Sequence, residues 1–591
     1  MRGSEPGRFV VQDGRRWRRY GRRVETWAAA RAEDVPAVLG AVEAAVERRG
    51  LPAVGFLAYE AAAAYGLAVR DPPEEGLPLA WFALFESAEE RDGVADALGP
   101  PAAETAGEPP PFGPWRPAAD EAAYAREVAR IQERIAAGDT YQVNYTFPLR
   151  GRFAGDPWAA FTRLARAQRA SHAAYLDLGR HAVVSLSPEL FFRRDGTRLR
   201  ARPMKGTASR GVTPAEDAGR AEALRTSAKD RAENLMILDM LRNDLGRVAE
   251  VGSVRVPSLF DVERYPTLLQ MTSAVEAESR APFAEVVAAL FPCASVTGAP
   301  KASTMRIIAE REGGPRGLYT GAIGTLDPGG RACFSVAIRT LVVDRERGEA
   351  EYGVGSGVVA DSRAGEEYAE CLLKARVLEE RPFRLLETMR FSPGEGYWLL
   401  EEHLERLLAS ARHFGVEAEG ERVRAALDRA ASGLGGPSRV RLLVDLDGRP
   451  EVEAAPLTFP AALPLRLGLA PRPVDPGSPW LYHKTTRREV YDEALGARPD
   501  CDEVLLWNAR GEATEGARSN LVVELPEGRV TPPVGSGLLP GTMRARLLAR
   551  GEARERPVRI EELPGRRLWL VNSVWGMREA ALGDVLPSRG Q

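Results

Sequence analysis

The chain has 591 residues, of which 44% are hydrophobic and 28% charged, with a formal net charge of −3 at pH 7. These values are typical of a multidomain globular protein and give no electrostatic reason to expect binding to nucleic acid or membranes. No apolar run approaches the ~18–20 residues of a membrane span. The four cysteines lie far apart without a CxxC motif, so we expect a cytoplasmic protein without disulfides or zinc.

The first 90 residues alternate strand-like runs (RFVVQ, AVGFLAYE, LAWFALFE) with an alanine-rich helix, AVLGAVEAAVERRG. The basic stretch MRGSEPGRFVVQDGRRWRRYGRR is not followed by the apolar core of a secretory leader, which predicts a solvated hairpin. Six prolines between Pro100 and Pro114 then predict an exposed connection.

From Asp120 the apolar spacing predicts a helix that ends at Gly138 and is followed by a strand. Strands and helices continue to about Leu378. A new α/β pattern begins near Phe383, with strands SRVRLLVDL, DEVLLWN and SNLVVEL. We therefore predict an α/β (α+β) protein with two large regions, residues 1–380 and 383–591.

Lysine is rare in this chain, since only five of the 80 Lys and Arg residues are lysine. Arginine serves equally well as a solvated charge, but it cannot lose its proton near neutral pH or act as an amine nucleophile. The remaining lysines are therefore the first candidates for chemistry. They lie at positions 205, 229, 301, 374 and 484.

Two helix-like stretches each offer a pair of carboxylates. SAKDRAENLMILDMLRNDLGRV places Asp230 and Glu233 three residues apart, and ADSRAGEEYAECLLKA places Glu367 and Glu370 three apart, with Lys374 one turn beyond. Together they form an oxygen-only set suited to Mg²⁺, although a solvated helix face is the commoner meaning of each pair alone.

Two further stretches are rich in turn-forming residues. The glycine-rich YGVGSGVVADS predicts a tight turn after a strand, where backbone N–H groups could approach an anion. FPCASVTGAPKASTM predicts a turn that enters a helix. Each is weak evidence for a binding site when taken alone.

Nine motifs occur in a fixed order between about Ala118 and Leu378. They are GDTYQVN, SLSPELFF, RPMKGTASR, KDRAENLMILDMLRNDLGRV, VTGAPK, YTGAIG, AIRT, GVGSGVVADS and EEYAECLLKA. In this order they resemble the chorismate-utilising enzymes, a family that includes anthranilate synthase component I, isochorismate and salicylate synthases, and aminodeoxychorismate synthase component I. The resemblance implies a large two-sheet domain with helices that binds chorismate.

The resemblance implies a role for each matching residue. Glu233 and Glu370 match the Mg²⁺ ligands, with Asp230 and Glu367 beside them, and Glu189 matches the general acid that helps the C4 hydroxyl to leave. Further positions match those that hold the carboxylates and ring of the chorismate dianion. These substrate-binding positions are Thr207, Tyr319, Arg339, Gly355, Gly357 and Lys374.

Two positions divide the family by reaction. Gln142 stands where water-adding members carry a lysine base, and a neutral amide cannot activate water, so the implied nucleophile is ammonia. Lys205 stands where anthranilate synthases have alanine. In aminodeoxychorismate synthases this lysine attacks C2 as the C4 hydroxyl leaves, and ammonia then enters at C4. The chain has no glutaminase cysteine motif, so a separate glutamine amidotransferase subunit is the implied ammonia source. Lys229 and Lys301 are expected to be ion-pair or helix-terminal residues without a chemical role.

The second region contains four further motifs between about Leu386 and Val585. They are SPWLYHKTTRREVYDEA, ATEGARSNLVVEL, GLLPGTMRARLL and LLEEHLERLLASARHFG. Together they resemble the pyridoxal-phosphate enzymes of fold type IV, a family that includes branched-chain and D-amino-acid aminotransferases and aminodeoxychorismate lyase. The family's opening hairpin is reduced here to LLETMRF. The resemblance therefore does not determine the substrate side of the site or whether the chain forms the family's homodimer.

Roles in the second region follow from the same resemblance. Lys484 would form the internal aldimine with pyridoxal phosphate and move the proton, and Glu515 would pair with the pyridinium nitrogen. Arg406 matches the phosphate-binding arginine, and the helix that opens near Thr542 would hold the same phosphate with its N-terminal amides. Ser573 would add a hydroxyl, and Asn520 would hold the turn after Glu515.

Together, the two resemblances imply a bifunctional enzyme of the folate-precursor branch. It would convert chorismate and ammonia to 4-amino-4-deoxychorismate, and then to 4-aminobenzoate and pyruvate, with Mg²⁺ and pyridoxal phosphate as cofactors. One alternative is anthranilate synthase component I joined to a type-IV aminotransferase, against which Lys205 argues. A second alternative is a non-catalytic scaffold, against which the intact set of lysines and carboxylates argues.

Overall fold

The computed structural model describes residues 7–72, 75–99, 112–168, 170–265, 268–459 and 463–583. The predicted exposed connection between Pro100 and Pro114 lies almost entirely outside the described residues. The chain forms two compact units. The first consists of Met1–Ala208 and Ala221–Pro382, and the second of Ser209–Arg220 and Phe383–Gln591. Among the described residues, no helix is both long and apolar enough to cross a membrane.

Elements up to residue 382 include twenty strands and nine α-helices within the described ranges. The strands are β1 Phe9–Asp13, β2 Arg16–Tyr20, β3 Arg23–Ala29, β4 Ala53–Leu57, β5 Ala80–Phe85, β6 Ala88–Asp92, β7 Arg116–Pro117, β8 Gln142–Arg152, β9 His172–Asp177, β10 His181–Ser187, β11 Leu190–Asp195, β12 Arg198–Arg202, β13 Met204–Ser209, β14 Arg255–Arg264, β15 Leu268–Glu278, β16 Gly298–Ala299, β17 Ala322–Asp327, β18 Arg331–Val336, β19 Thr340–Asp344 and β20 Glu349–Val358. The helices are α1 Val35–Arg49, α2 Gly93–Leu98, α3 Glu121–Ala136, α4 Pro157–Gln168, α5 Pro214–Thr226, α6 Ala228–Gly246, α7 Phe283–Leu290, α8 Lys301–Arg311 and α9 Ala364–Ala375.

Two ten-stranded sheets form the first unit. One follows the order β16-β8-β20-β19-β10-β9-β1-β2-β6, with β7 beside β8, and the other follows β13-β15-β12-β11-β18-β17-β4-β5-β3, with β14 beside β15. A buried cluster contains residues of β1 and β9 from one sheet and β4 and β5 from the other, so the two sheets pack face to face. The predicted two-sheet domain is confirmed.

Helices cover the outer faces of this sandwich. Apolar side chains of α1, α6 and α7 form one core with the second sheet, and those of α3, α4 and α9 form another with the first sheet. The helix predicted from Asp120 to Gly138 is confirmed as α3, because the Asp120 side chain caps its N-terminus by accepting from the N–H of Ala123 at 2.7 Å. The predicted N-terminal hairpin is confirmed as β1–β2, in which Trp17 is buried and Arg16 is exposed.

The second unit contains twelve strands and four α-helices after residue 382 in the described ranges. The strands are β21 Leu385–Ser392, β22 Gly396–Tyr397, β23 Ser438–Val444, β24 Pro450–Pro456, β25 Leu465–Leu469, β26 Glu503–Trp507, β27 Ala513–Gly516, β28 Asn520–Leu525, β29 Gly528–Thr531, β30 Arg554–Glu555, β31 Leu568–Asn572 and β32 Gly576–Leu582. The helices are α10 Leu400–Phe414, α11 Gly420–Ala431, α12 Glu489–Gly496 and α13 Thr542–Ala549.

Two sheets organise this unit. One has the order β22-β21-β23-β24, and α10 and α11 cover it through a core that includes Phe383, Leu407 and Leu427. The other has the order β27-β26-β25-β32-β31-β28-β29-β30, and an additional pairing between β27 and β28 closes six of its strands into a ring. Closure pairs the free edge of β27 and brings this strand, which carries Glu515, beside β28, which begins at Asn520.

The core of the first unit supplies a stability prediction. Phe192 is fully buried, and its ring stacks on Phe334 at 5.4 Å between centroids. The Phe192→Ala substitution should lower the free energy of unfolding by about 3–5 kcal/mol because it leaves a cavity that the packed rings cannot fill. Denaturant titration checks this value, with Leu259→Ala as the control because Leu259 is 47% exposed. A loss below about 1 kcal/mol would contradict the packing described here.

Candidate active sites

A cavity of about 400 Å³ lies in the first unit. The strand β13 contributes Lys205 to its wall, α6 and α9 contribute carboxylates, and β20 contributes glycines. The cavity brings together every residue that the sequence predicted for chorismate and metal, apart from Gln142. Those lining residues are Glu189, Lys205, Thr207, Asp230, Glu233, Tyr319, Arg339, Gly355, Gly357, Glu367, Glu370 and Lys374.

Gln142 lies directly behind this wall, at the start of β8. A Cβ atom on Gly357 would be 2.3 Å from Nε2 of Gln142 and 3.2 Å from Nζ of Lys205, so both side chains end at this glycine. Oε1 of Gln142 is buried and has no hydrogen-bond partner among the described residues. A buried carbonyl oxygen without a partner is costly, which favours a ligand that donates to it.

The backbone of Lys205 is fixed by a pair of buried side chains. Nδ2 of Asn234 donates to the carbonyl oxygen of Lys205 at 3.2 Å, and Oγ of Ser273 donates to Oδ1 of Asn234 at 2.5 Å. Burial lowers the pKa of Lys205, and Lys374 lowers it further, although Glu233 opposes the shift. Sequence reasoning missed Asn234, although it lies in the same motif as Glu233.

Glu189 stands between β10 and β11 and is buried. Burial raises the pKa of its carboxyl group to about 7, although Ser295 and Lys205 oppose the shift. Its Oε1 atom has no hydrogen-bond partner among the described residues. Glu189 can therefore hold a proton near neutral pH and offer it to a group inside the cavity.

Four carboxylates project from α6 and α9, as the helix spacing predicted. Burial raises the pKa of Glu233, and its neighbours Asp230 and Glu367 raise it further, while Lys205 lowers it. Glu370 forms an ion pair with Lys374 at 2.7 Å, and Nζ of Lys374 also donates to the carbonyl oxygen of Gly355 at 2.8 Å. Burial acts to raise the pKa of Glu370, but Lys374, together with Lys205 and Lys229, brings it below its ordinary value.

The glycine-rich stretch is a strand and not a turn. Gly353, Gly355 and Gly357 lie within β20 and are paired with β8, so the predicted tight turn is wrong. The reason is steric, because neighbouring side chains occupy the space that the Cβ atoms of larger residues at these glycine positions would need. A Cβ on Gly353 would be 2.1 Å from the ring of Tyr319, and one on Gly355 would be 2.6 Å from Cγ2 of Thr146.

Tyr319 and Arg339 reach the cavity from strained turns. Thr320, next to Tyr319, has φ of 62°, and Arg339 has φ of 49°, in the left-handed region that few non-glycine residues occupy. The guanidinium of Arg316, which pairs with Glu312 at 2.7 Å, donates to Oγ1 of Thr320 at 3.3 Å and holds the first of these turns. Burial lowers the pKa of Arg339, as expected for a cation without a close counter-ion.

A second cavity, of about 550 Å³, lies in the second unit. It brings together all five residues that the sequence predicted for the cofactor of this region, together with Asn520. The predicted residues are Arg406, Lys484, Glu515, Thr542 and Ser573.

Lys484 enters this cavity from a loop that is tied to β21. Its carbonyl oxygen accepts from the N–H of Leu386 at 3.0 Å. Burial lowers the pKa of its amine to about 8, and the nearby guanidinium of Arg406 lowers it further. A substantial fraction of the Lys484 amine is therefore neutral near physiological pH.

Glu515 faces the same cavity and accepts three hydrogen bonds. The hydroxyl of Tyr491 and the N–H of Leu539 donate to its Oε1 at 2.8 and 3.0 Å, and Nδ2 of Asn520 donates to its Oε2 at 3.2 Å. Burial raises its pKa to about 7, against the effect of these donors. Sequence reasoning missed Tyr491, which lies on α12, although it belongs to the same quoted motif as Lys484.

Arg406 is held by a buried carboxylate. Its Nε donates to Oε1 of Glu387 at 2.9 Å, and Nδ1 of His403 lies 2.6 Å from Oε2 of the same group. Burial would raise the pKa of Glu387, but Arg406 and His403 lower it to about 2. Nε2 of His403 lies 3.4 Å from Oγ1 of Thr542. Glu387 and His403 were not predicted, although both lie in the quoted motifs.

Thr542 is the first residue of α13, and Gly541 precedes it as the N-cap. A Cβ on Gly541 would be only 1.8 Å from Oδ1 of Asn520, so only glycine fits beside this amide. Asn520 also donates to the carbonyl oxygen of Leu539 at 2.9 Å and so holds the turn before α13. Ser573 donates to the carbonyl oxygen of Thr388 at 3.1 Å. Gly541, Thr542 and Met543, at the start of α13, line the cavity, so the N-terminal end of this helix lies at its wall.

One compact group of metal-ligand atoms occurs elsewhere in the first unit. Among the described residues, only Asp13, His172 and Cys333 bring three such atoms within 4.8 Å of one another. Arg193 forms an ion pair with Asp13 and lies 3.9 Å from Sγ of Cys333, so a cation already occupies this position. Lys301, which was expected to be an ion-pair or helix-terminal residue, contacts Asp244 at 2.7 Å.

Comparisons with known proteins agree with the prediction of two regions that meet near residue 383. Residues 7–380 match the family described as chorismate binding enzyme, and residues 384–582 match amino-transferase class IV. The chain is 43% identical over 340 residues to the aminodeoxychorismate synthase of Streptomyces griseus, which covers 56% of this chain and 45% of that protein. It is 41% identical over 269 residues to aminodeoxychorismate synthase component 1 of Escherichia coli (strain K12), which covers 45% of this chain and 59% of that protein.

The chain therefore spans about half the length of the curated relatives that it matches. Among solved structures, anthranilate synthase component I from Streptococcus pneumoniae TIGR4 aligns with a TM-score of 0.54 at 23% identity. The alignment covers 64% of this chain and 93% of that chain. At this level of identity the likeness concerns the fold alone.

The small number of lysines allows a direct test of the two cavities. After reductive methylation with ¹³C-formaldehyde, the spectrum should show five lysine resonances. Those of Lys205 and Lys484 should titrate below the ordinary lysine value of about 10.4 because burial destabilises the ammonium form. For Lys484 the midpoint should lie near 8. Lys→Arg substitutions assign the resonances, and unfolding in denaturant provides the control. Midpoints near 10 for both residues in the folded protein would contradict the geometry.

Proposed function

The chain belongs to the chorismate-binding enzyme family, and we propose that it is a bifunctional enzyme that makes 4-aminobenzoate. The first unit would convert chorismate and ammonia to 4-amino-4-deoxychorismate, and the second would convert that product to 4-aminobenzoate and pyruvate. The observation that carries this proposal is that each unit has a cavity with one lysine of lowered pKa and a buried glutamate whose pKa is about 7.

In the first reaction, Lys205 and Glu189 would act on opposite ends of a ring diene. The neutral amine of Lys205 forms a bond to C2 while the C4–O bond breaks, and the proton of Glu189 leaves with the hydroxyl as water. Ammonia then bonds to C4, and the bond between Lys205 and C2 breaks as the electrons return. Lys205, present where anthranilate synthases have alanine, favours this reaction over anthranilate formation.

Gln142, Arg339 and Lys374 would orient the reactants. A neutral amide at residue 142 leaves no base to activate water, which favours ammonia as the nucleophile. Arg339 and Lys374 are cations that line the cavity and suit the two carboxylates of chorismate. Tyr319, Thr207 and the backbone of β20 complete the polar wall.

Mg²⁺ fits the carboxylates of α6 and α9. The donors are all oxygen atoms, and the mutual repulsion that helps to raise the pKa of Glu233 is the kind that a divalent cation relieves. Glu233 and Glu370 would bind the ion, with Asp230 and Glu367 beside them. The cation would supply charge to hold the ring carboxylate. With Glu370 bound to the ion, Lys374 would be released from its ion pair with Glu370 and would pair with a carboxylate of the substrate.

The ammonia source would be a separate glutamine amidotransferase subunit. The Escherichia coli relative is named as component 1, which supports a second component of this kind. The free amide of Gln142 is compatible with ammonia delivered to the cavity.

Pyridoxal phosphate fits the second cavity. Arg406, the N–H groups at the start of α13 and the Ser573 hydroxyl would hold its phosphate, and the Glu515 carboxylate would pair with the pyridine nitrogen. The cofactor would supply an electron sink for loss of pyruvate. Lys484 would bind the cofactor and move the proton at C4 of the substrate. Tyr491 and Asn520 would keep Glu515 in place.

The products of the full-length chain test this function directly. Incubation with chorismate, an ammonium salt, Mg²⁺ and pyridoxal phosphate should yield 4-aminobenzoate. Lys205→Ala should abolish amination, because the proposed attack on C2 needs its amine, whereas Lys484→Ala should accumulate aminodeoxychorismate. Chromatography separates the products, and Lys301→Arg is the control because it keeps the ion pair with Asp244. Anthranilate as the product would overturn the proposal, and absence of any product would favour a scaffold.

The metal dependence of the first reaction tests the carboxylate assignment. Glu233→Gln or Glu370→Gln should raise the Mg²⁺ concentration for half-maximal chorismate consumption by about tenfold or more, because each removes one charged ligand. Glu366→Gln is a matched control on the same helix, since Glu366 is 70% exposed and pairs with Arg363. An unchanged Mg²⁺ requirement in both cavity variants would mean that these carboxylates do not bind the ion.

A further inference from the structure

The segment Ser209–Arg220 belongs to the second unit, although it follows Lys205 by only a few residues. Arg210 and Asp217 are almost fully buried and pair through two hydrogen bonds, from Nε at 2.6 Å and from Nη2 at 3.0 Å. Asp217 also accepts from the N–H of Gly211 at 3.1 Å. A Cβ on Gly211 would be 2.1 Å from the backbone nitrogen of Asp217, so only glycine allows this compact turn.

Arg210 also reaches the helix α10. Its Nη2 donates to the carbonyl oxygen of His413, in the last turn of that helix. The imidazole of His413 stacks on that of His483, with 4.1 Å between ring centroids and 29° between planes. His483 is the residue before Lys484. A continuous series of contacts therefore runs from Arg210 to the residue that precedes the lysine of the second cavity.

Few hydrogen bonds hold this stack. Neither ring nitrogen of His413 has a hydrogen-bond partner among the described residues, and Nδ1 of His483 lies 2.9 Å from Oγ of Ser410. Burial lowers the pKa of His413 to about 4, and Arg210 lowers it further, while Asp217 opposes the shift. Two neutral rings held mainly by packing take their position from the backbone that carries them.

The segment adds apolar contact to the same loop. Val212 packs against a buried cluster that contains Leu481 and Tyr482, the two residues before His483. On the other side of the lysine, the carbonyl oxygen of Lys484 is fixed by Leu386. The C-terminal flank of the lysine thus depends on β21, and the N-terminal flank depends on the stack and on the segment.

We propose that Arg210 is a positioning residue for Lys484, because its bond to the carbonyl group of His413 fixes the histidine stack and the loop that carries the lysine. This inference rests on the proposed function only in taking Lys484 as the lysine that binds pyridoxal phosphate. The second cavity would then require a residue that lies, in sequence, in the middle of the chorismate-binding region.

The expected consequence concerns the Lys484 amine. Burial is the main cause of its lowered pKa, so a loop that moves more freely exposes the amine to water and raises that pKa toward the ordinary lysine value. Pyridoxal phosphate combines with the neutral amine. In the protein without substitutions, the rate of recombination with the cofactor should therefore rise with pH through a midpoint near 8.

The experiment uses the full-length chain after removal of its cofactor. Arg210→Met should move the midpoint of the recombination rate up by about one pH unit and slow recombination at pH 7 by up to about tenfold, because the neutral fraction falls with the shift. Arg210→Lys, which keeps one cationic donor, should give a midpoint between those of the unsubstituted protein and of Arg210→Met. The ¹³C resonance of methylated Lys484 should move in the same direction without any cofactor present.

Two variants separate positioning from stability. Arg225→Met is a matched control on the same helix as Asp217, α5, because Arg225 is 57% exposed and donates to Glu222. It should leave the midpoint unchanged. Asp217→Asn weakens the ion pair but keeps the donor to His413, so it should lower the thermal midpoint of unfolding and leave the pH midpoint in place.

The outcomes distinguish this inference from the proposed function. Arg210→Met could lower the thermal midpoint of unfolding but leave the pH midpoints of the recombination rate and of the Lys484 resonance as they are in the unsubstituted protein. In that case Arg210 is only structural and the inference fails. If Arg210→Met does not fold, Arg210→Lys decides by the same readouts. If the midpoints shift while the chain makes no 4-aminobenzoate, the positioning role stands and the proposed function fails.

Discussion

Burial disfavours the charged form of a titratable group, so it lowers the pKa of an amine and raises that of a carboxyl group. Both cavities depend on this one effect. In the first, it acts on Lys205 and Glu189, and in the second on Lys484 and Glu515. The same burial thus favours the neutral form of the amine and the protonated form of the carboxyl group within one cavity. Neither is available on a solvated surface, where both groups are ionised.

Charged neighbours decide where this effect of burial on the pKa is reversed. Glu387 is as deeply buried as Glu515, yet its pKa is about 2 and not about 7. The difference is that Arg406 and His403 both contact Glu387, whereas Glu515 receives hydrogen bonds from neutral donors. A charged carboxylate can thus hold Arg406 while a second carboxyl group in the same cavity remains able to exchange a proton. Lys374 has the corresponding effect on Glu370 in the first cavity.

The sequence predicted most of the residues that line the two cavities, but not the residues that hold them in position. Residues such as Lys205 and Glu515 lie in motifs with a fixed order, and helix spacing placed Glu233 and Glu370 on the faces where the structure has them. Asn234 and Tyr491 were missed because each acts through one hydrogen bond across a long sequence separation. Glycine composition suggested a turn, but in β20 the glycines make room for side chains of neighbouring strands and turns, which local propensity cannot show.

The discontinuous second unit shows a related limit of sequence patterns. A composition change near Phe383 marks where a new pattern begins, but it contains no information about which earlier residues complete the fold. Ser209–Arg220 carries a buried ion pair and a glycine that admits no side chain, features that serve one three-dimensional arrangement. Removing one partner of a buried pair leaves an uncompensated charge, which typically costs about 3–5 kcal/mol. A cut at Phe383 would remove the whole segment and leave the carbonyl group of His413 without its donor, so the boundary of the pattern is not the boundary of the folded unit.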